Sequence, residues 1–127
     1  MGGNGYCGCH VTSLTLETRE HEGAVRIAVS GELDLSSALT FDDEVRRAEE
    51  RMPETLVLDL RKLRFMDSTG LRLIMSAHAR ARTRGRRLAI VLGSEAVKRI
   101  FRLAGVNRRL DIVEHPSAVL GPPGTRA

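Results

Sequence analysis

Thr55-Leu56-Val57-Leu58-Asp59-Leu60, followed shortly by Phe65-Met66-Asp67-Ser68-Thr69-Gly70-Leu71, decides how this chain folds. The first segment is nearly all apolar, as expected of a central strand covered on both faces. From about Thr69 to Arg84 the pattern turns helical. Leu71, Ile74, Met75 and His78 fall on one stripe, with Leu73, Ala77 and Ala81 beside it. A short polar loop, with two hydroxyls and a carboxylate, therefore joins a strand end to a helix start. Ligands and regulatory contacts of open α/β sheets gather at such junctions. A helix N-terminus also presents free N–H groups and the positive end of its dipole. The loop reads as a display of Ser68 to a protein partner.

Outward from this junction, strands and helices alternate. Arg87–Leu92 repeats the buried-strand pattern, after a Gly85 suited to the left-handed end of the preceding helix. Ser94 caps a helix with Val97, Ile100, Phe101 and Ala104 on one face, stopped by Gly105. Asp111–Val113 is a short last strand, and His115–Leu120 has room for one or two helical turns. On the other side, Val11–Thr18 alternates as a half-buried strand, Arg19–Gly23 is a polar turn, and Ala24–Ser30 completes an antiparallel hairpin. Gly31-Glu32-Leu33-Asp34 leads to a helix over about Ser36–Arg51, with Ser36 or Ser37 as N-cap and Pro53 beyond its end. Its apolar stripe is read as Leu35, Ala38, Leu39, Val45, Ala48 and Met52, with Asp42 as a polar intruder. The order β-β-α-β-α-β-α-β implies a parallel or mixed sheet with right-handed crossovers. Residues 1–10 are expected to form a flexible lead, 11–120 a single α/β domain and 121–127 a disordered tail.

Composition narrows the function. A chain of 127 residues buries roughly two-thirds of its unfolded surface and needs no metal or disulfide to hold a core. Aromatics are limited to Tyr6, Phe41, Phe65 and Phe101, too few for the stacking platforms of a single-strand nucleic-acid binder. Charge is uneven. Residues 1–71 hold 8 Lys/Arg against 13 Asp/Glu, whereas residues 72–109 hold 11 against Glu95 alone. That basic region is either a solvated Arg-rich surface or a field that steers an acidic partner or nucleic acid. The longest apolar run, Leu88–Leu92, is far too short to span a membrane, and the N-terminus lacks the features of a secretory signal. A cytoplasmic protein is expected, with no membrane and no nucleic-acid partner. Cys7, Cys9 and His10 form a tight cluster, but a zinc site wants wider Cys spacing and four ligands, so a plain tail is the expectation.

Catalysis finds little support. Ser68 lacks the Gly-x-Ser-x-Gly context of a nucleophile elbow. His78 stands ten residues on, roughly 15 Å away along the helix. No phosphate-binding or dinucleotide loop is present. Asp34, Asp59 and Asp67 are expected near one sheet edge, with no His or Cys to complete a metal site. No enzyme activity and no cofactor are expected. Two readings of Ser68 remain. As Ser68 or Thr69, it is the cap of the helix. As a modification site, it takes a phosphate of about −1.5 to −2 charges where the dipole tolerates an anion, so the fold survives while an interface is disrupted.

Gly31-Glu32-Leu33-Asp34, Leu58-Asp59-Leu60, Phe65 to Leu71 and Val97-Lys98-Arg99-Ile100-Phe101-Arg102-Leu103-Ala104-Gly105-Val106 together resemble the STAS family, and within it the bacterial anti-sigma factor antagonists. The resemblance spans about residues 11–115. It implies a single STAS-like domain of class α/β: a mixed four- to five-stranded sheet with helices packed mainly on one face. It also implies that Ser68 is phosphorylated by a cognate anti-sigma factor, an ATP-dependent serine kinase. The unphosphorylated form binds that kinase and releases the sigma factor, phosphorylation switches binding off, and a protein phosphatase resets the system. Asp34, Asp67, Ser68, Thr69 and Gly70 would then line the contact surface. Arg72 departs from the family pattern, which often has a small residue there, and either softens the phosphate's effect or sets partner choice. The alternative is a STAS subunit of a transport or stress-sensing assembly, with Ser68 a plain cap.

Overall fold

The computed structural model of the protein describes residues 10, 11 and 14–116. The strands are β1 (His10–Val11), β2 (Leu14–His21), β3 (Ala24–Leu33), β4 (Thr55–Met66), β5 (Arg87–Leu92) and β6 (Asp111–Val113). The helices are α1 (Ala38–Glu49), α2 (Ser68–Arg84) and α3 (Glu95–Ala104). The strands lie side by side in chain order. β2 runs antiparallel to β1 and β3, and β3 to β6 are parallel. This is the mixed sheet the sequence implied, with five strands of three residues or more and a two-residue strand added at one edge.

One face of the sheet carries the helices. Leu14 and Leu16 of β2, Val25, Ile27 and Val29 of β3, Leu56, Leu58 and Leu60 of β4, and Leu88 and Ile90 of β5 share one core with Phe41 and Val45 of α1, Ile74 and Ala77 of α2, and Val97 and Phe101 of α3. Burying each large side chain contributes about 1.5–3 kcal/mol. Because the strand order never reverses, the sheet has no switch-point crevice of the doubly wound kind. What it offers instead is the row of loops at the C-terminal ends of β3, β4 and β5.

Several boundaries differ from the sequence reading. β2 continues through Arg19, Glu20 and His21, paired to β3, so the turn shrinks to Glu22-Gly23, both with positive φ as in a tight hairpin. β3 runs on to Leu33 and β4 to Met66, with two register shifts between them. Charged Arg61, Lys62 and Arg64 disguise that extension, while Leu63 and Met66 anchor it in the core. His10, expected in the lead, pairs in β1. On α1 the buried stripe is Ala38, Phe41, Val45 and Ala48, joined by Glu44 and Glu49. Ala38, Val45 and Ala48 are buried as expected, whereas Leu35, Leu39 and Met52 of the expected stripe are exposed. Glu44 is tolerated because the Thr18 hydroxyl donates to it and Arg47 pairs with it. Cys7, Cys9, all but the first two residues of the turns expected over 115–120, and the expected tail lie outside the described residues.

Candidate functional site

β3 and β4 end together. Leu33 and Met66 are the last register partners, and the Asp67 N–H donates to the Leu33 carbonyl at 3.1 Å. Both chains then turn into helices, through Asp34–Ser37 on one side and Asp67 alone on the other. The long parallel pairing thus delivers Asp34 and Ser68 to the same end of the sheet.

Asp67 is the N-cap of α2. Its Oδ1 accepts from the Thr69 N–H at 3.0 Å and the Gly70 N–H at 3.1 Å. Neither Ser68 nor Thr69 caps the helix, which corrects the sequence reading of that role. Ser68 is the first helical residue and is exposed, and among the described residues its hydroxyl makes no hydrogen bond. Thr69 is half-buried. Gly70 lies beneath the surface: a Cβ there would sit 2.8 Å from Leu33 Cγ and 2.8 Å from Met66 Cγ. Its place is therefore in the packing that lets α2 start so close to the strand ends. Arg72 is exposed, four residues after Ser68 and so on the same helix face.

The Asp34 loop is built differently. Asp34 Oδ1 accepts from the Ser36 N–H at 3.0 Å and the Ser36 hydroxyl at 2.7 Å. Donation from the Ser36 hydroxyl is the main reason its carboxyl titrates below the ordinary value, against a smaller opposing effect of burial. Ser37 is buried. Its Oγ donates to the Glu32 carbonyl at 3.0 Å and accepts from the Asp34 N–H at 3.1 Å.

Asp59 does not join this site. It is buried midway along β4 on the sheet face opposite the helices, where Arg61 and Arg26 both donate to it at 2.8 Å. Burial pushes its carboxyl up, but hydrogen bonds from Arg61 and then Arg26 outweigh that and hold it below the ordinary value. His78 is half-buried on α2, its imidazolium disfavoured by burial and then by Arg82 and Arg109, in keeping with a face residue. The sequence reading missed three side chains at this end. Leu35 is 77% exposed, Leu39 78% and Phe65 46%. They belong to the segments that carry Asp34 and Ser68. Phe41, at proper spacing from Val45 and Ala48, was the signal that Leu35 and Leu39 lay off the core stripe.

The site thus combines a free hydroxyl at a helix start, two carboxylates engaged by neighbouring N–H and hydroxyl groups, and exposed apolar side chains on the same segments. It suits docking and group transfer to Ser68 Oγ by an outside donor. Among the described residues no helix is long and apolar enough to cross a membrane.

Comparison with known proteins bears on the fold. The family profile described as STAS domain matches residues 15–118. The chain is 28% identical over 107 residues to the anti-sigma F factor antagonist of Paenibacillus polymyxa, covering 81% of this chain and 89% of the relative. It is 31% identical over 107 residues to the anti-sigma-F factor antagonist RsfA of Mycobacterium tuberculosis, covering 83% and 82%. The crystal structure of an anti-sigma factor antagonist from Mycobacterium paratuberculosis superposes with a TM-score of 0.79 at 23% identity, covering 85% of this chain and 92% of that one.

Proposed function

The chain belongs to the STAS domain family, and from that premise we propose that it is an anti-sigma factor antagonist switched by phosphorylation of Ser68. The unphosphorylated protein binds a cytoplasmic anti-sigma factor through Asp34, Asp67, Ser68, Thr69 and Arg72, with Leu35, Leu39 and Phe65 as the apolar part of the contact. Binding frees the sigma factor. The anti-sigma factor, a serine kinase, transfers the γ-phosphoryl group of ATP to Ser68 Oγ, releasing ADP and the hydroxyl proton. A phosphatase hydrolyses the ester and resets the protein.

The observation that carries this reading is the exposed Ser68 hydroxyl, left free because Asp67 caps α2. A kinase can reach it, and the helix does not depend on it. The added charge is tolerated at the helix start, yet it falls among groups that a partner would desolvate. An unpaired charge there costs about 2 kcal/mol or more in binding. Arg72 does not cancel this effect. An exposed pair at this spacing contributes only about 0.3–0.5 kcal/mol, so its main weight falls on partner choice.

The test is incubation with each kinase-type anti-sigma factor of the same cell and ATP, followed by mass spectrometry. One phosphate on Ser68, absent in Ser68→Ala, is expected; unmodified Ser68 with every candidate defeats the reading. Calorimetry of Ser68→Glu with the anti-sigma factor should show binding weakened by about 2 kcal/mol.

A further inference from the structure

We propose that the outward face of α3, with the end of α2 beside it, is a docking surface for an acidic protein segment that carries an apolar side chain. The surface is formed by Arg82, Arg99, Arg102, Leu103, Arg108 and Arg109. Arg82 lies roughly 20 Å from Ser68 along α2, so this contact is separate from the proposed switch.

α3 buries Val97 and Phe101 against the sheet. At about 100° per residue the opposite side of the helix falls to Arg99, Arg102 and Leu103, and all three are exposed. The helix stops at Gly105, φ 71°, and a turn follows in which the Arg109 N–H donates to the Val106 carbonyl at 2.9 Å. That turn buries Val106 and Leu110 and leaves Arg108 and Arg109 exposed. It also carries Arg109 towards α2, where Arg109 and Arg82 both disfavour the imidazolium of His78. Five guanidiniums thus share a surface with one leucine that is 78% exposed.

The fold does not neutralise this charge. Among the described residues none of the five arginines pairs with a carboxylate, whereas Arg80, Arg86, Arg87 and Lys98 all do. The C-terminal ends of α2 and α3 favour positive charge, but each is worth only about half an elementary charge. The surplus is left for a partner, and its surroundings narrow the partner's chemistry. A phosphate backbone offers Leu103 nothing to bury against. Among the described aromatics, Phe41 and Phe101 are buried and Phe65 lies at the other end of β4, so no platform for stacked bases stands here. Exposed Glu20, Glu22 and Glu54 occupy the same end of the sheet, where the Glu54 N–H donates to the Gly23 carbonyl at 2.9 Å. A broad anionic membrane would meet those carboxylates as well. A narrow acidic segment fits beside them, with guanidinium forks for its carboxylates and Leu103 for its apolar side chain.

The test uses two capped synthetic peptides, one of about eight glutamates and one with a leucine inserted at its centre. Each is titrated into the unphosphorylated protein and followed by backbone amide NMR. At about 50 mM salt, saturable shifts over residues 99–109 with a midpoint on the order of 100 μM are expected for the leucine peptide. Arg108→Gln combined with Arg109→Gln should weaken it at least about tenfold. Leu103→Ser should weaken the leucine peptide about threefold or more and leave the other unchanged. Arg19→Gln, on β2, removes one charge far from this surface and should have no effect. All these side chains are exposed, so the variants keep the fold. A short DNA duplex and vesicles of about one-third phosphatidylserine are run in parallel. Binding to either that outlasts the leucine peptide's as salt is raised to about 150 mM overturns the proposal. So do shifts that fail to saturate, equal binding of the two peptides, or a loss with Arg19→Gln that matches the loss with the paired variant.

Discussion

The two junctions that leave the sheet side by side look alike in sequence. One reads Leu33-Asp34-Leu35-Ser36-Ser37 and the other Met66-Asp67-Ser68-Thr69-Gly70. Each places an aspartate after a buried strand end and two hydroxyl side chains just beyond it. In the first, both hydroxyls are consumed: Ser36 donates to Asp34, and Ser37 ties Glu32 to Asp34. In the second, Asp67 reaches two helix N–H groups itself and leaves the Ser68 hydroxyl idle. The loop that needs its serines cannot spare one for regulation, whereas the aspartate that caps alone sets one free. The serine to which the proposed switch assigns the phosphate is the one that does no structural work.

The largest test of this contrast is Gly70→Val. Gly70 allows α2 to begin directly on Leu33 and Met66, and any Cβ meets non-terminal atoms of both side chains below contact distance. A bulkier residue overpacks the junction and should cost about 3 kcal/mol, read as a lowered denaturant midpoint. Wild-type stability would mean that α2 can start elsewhere and that the short junction is not enforced.

Next come the two groups that hold the turns. Ser37→Ala leaves the Glu32 carbonyl and Asp34 N–H without their shared hydroxyl in a buried place, and should cost about 1.5–2 kcal/mol. Asp67→Ala removes a helix cap and should cost about 1 kcal/mol. Thermal unfolding of the pair checks the order. If Asp67→Ala is harmless, Ser68 or Thr69 can take over the cap, and the idle hydroxyl is a choice of conformers.

How much of this was legible depended on local punctuation. β5, α3 and β6 lie where the sequence put them, because Gly85, Ser94 and Gly105 mark ends that few other residues can make. β4 was read six residues short, since Arg61, Lys62 and Arg64 look like a loop until the bulged pairing with β3 is known. Half of the α1 stripe was misassigned because Leu35, Leu39 and Met52 are apolar yet face outward, and periodicity treats every large apolar residue as core. The cap was placed on Ser68 or Thr69 rather than Asp67, all three being good cap formers. That choice decides whether the Ser68 hydroxyl is occupied.

The smallest expected effect is the most telling. Ser68→Ala should change unfolding free energy by less than about 0.5 kcal/mol, the range of an exposed substitution that breaks no bond. Ser37→Ala, at the matching junction, should cost several times more. If the two variants lose equal stability, the Ser68 hydroxyl is structural after all. A phosphate there would then weaken the fold as well as the contact, and loss of partner binding would no longer report a switch. If Ser68→Ala is silent in stability while abolishing phosphorylation, the division of labour between Asp67 and Ser68 stands: one residue builds the helix, and its neighbour is left for the partner.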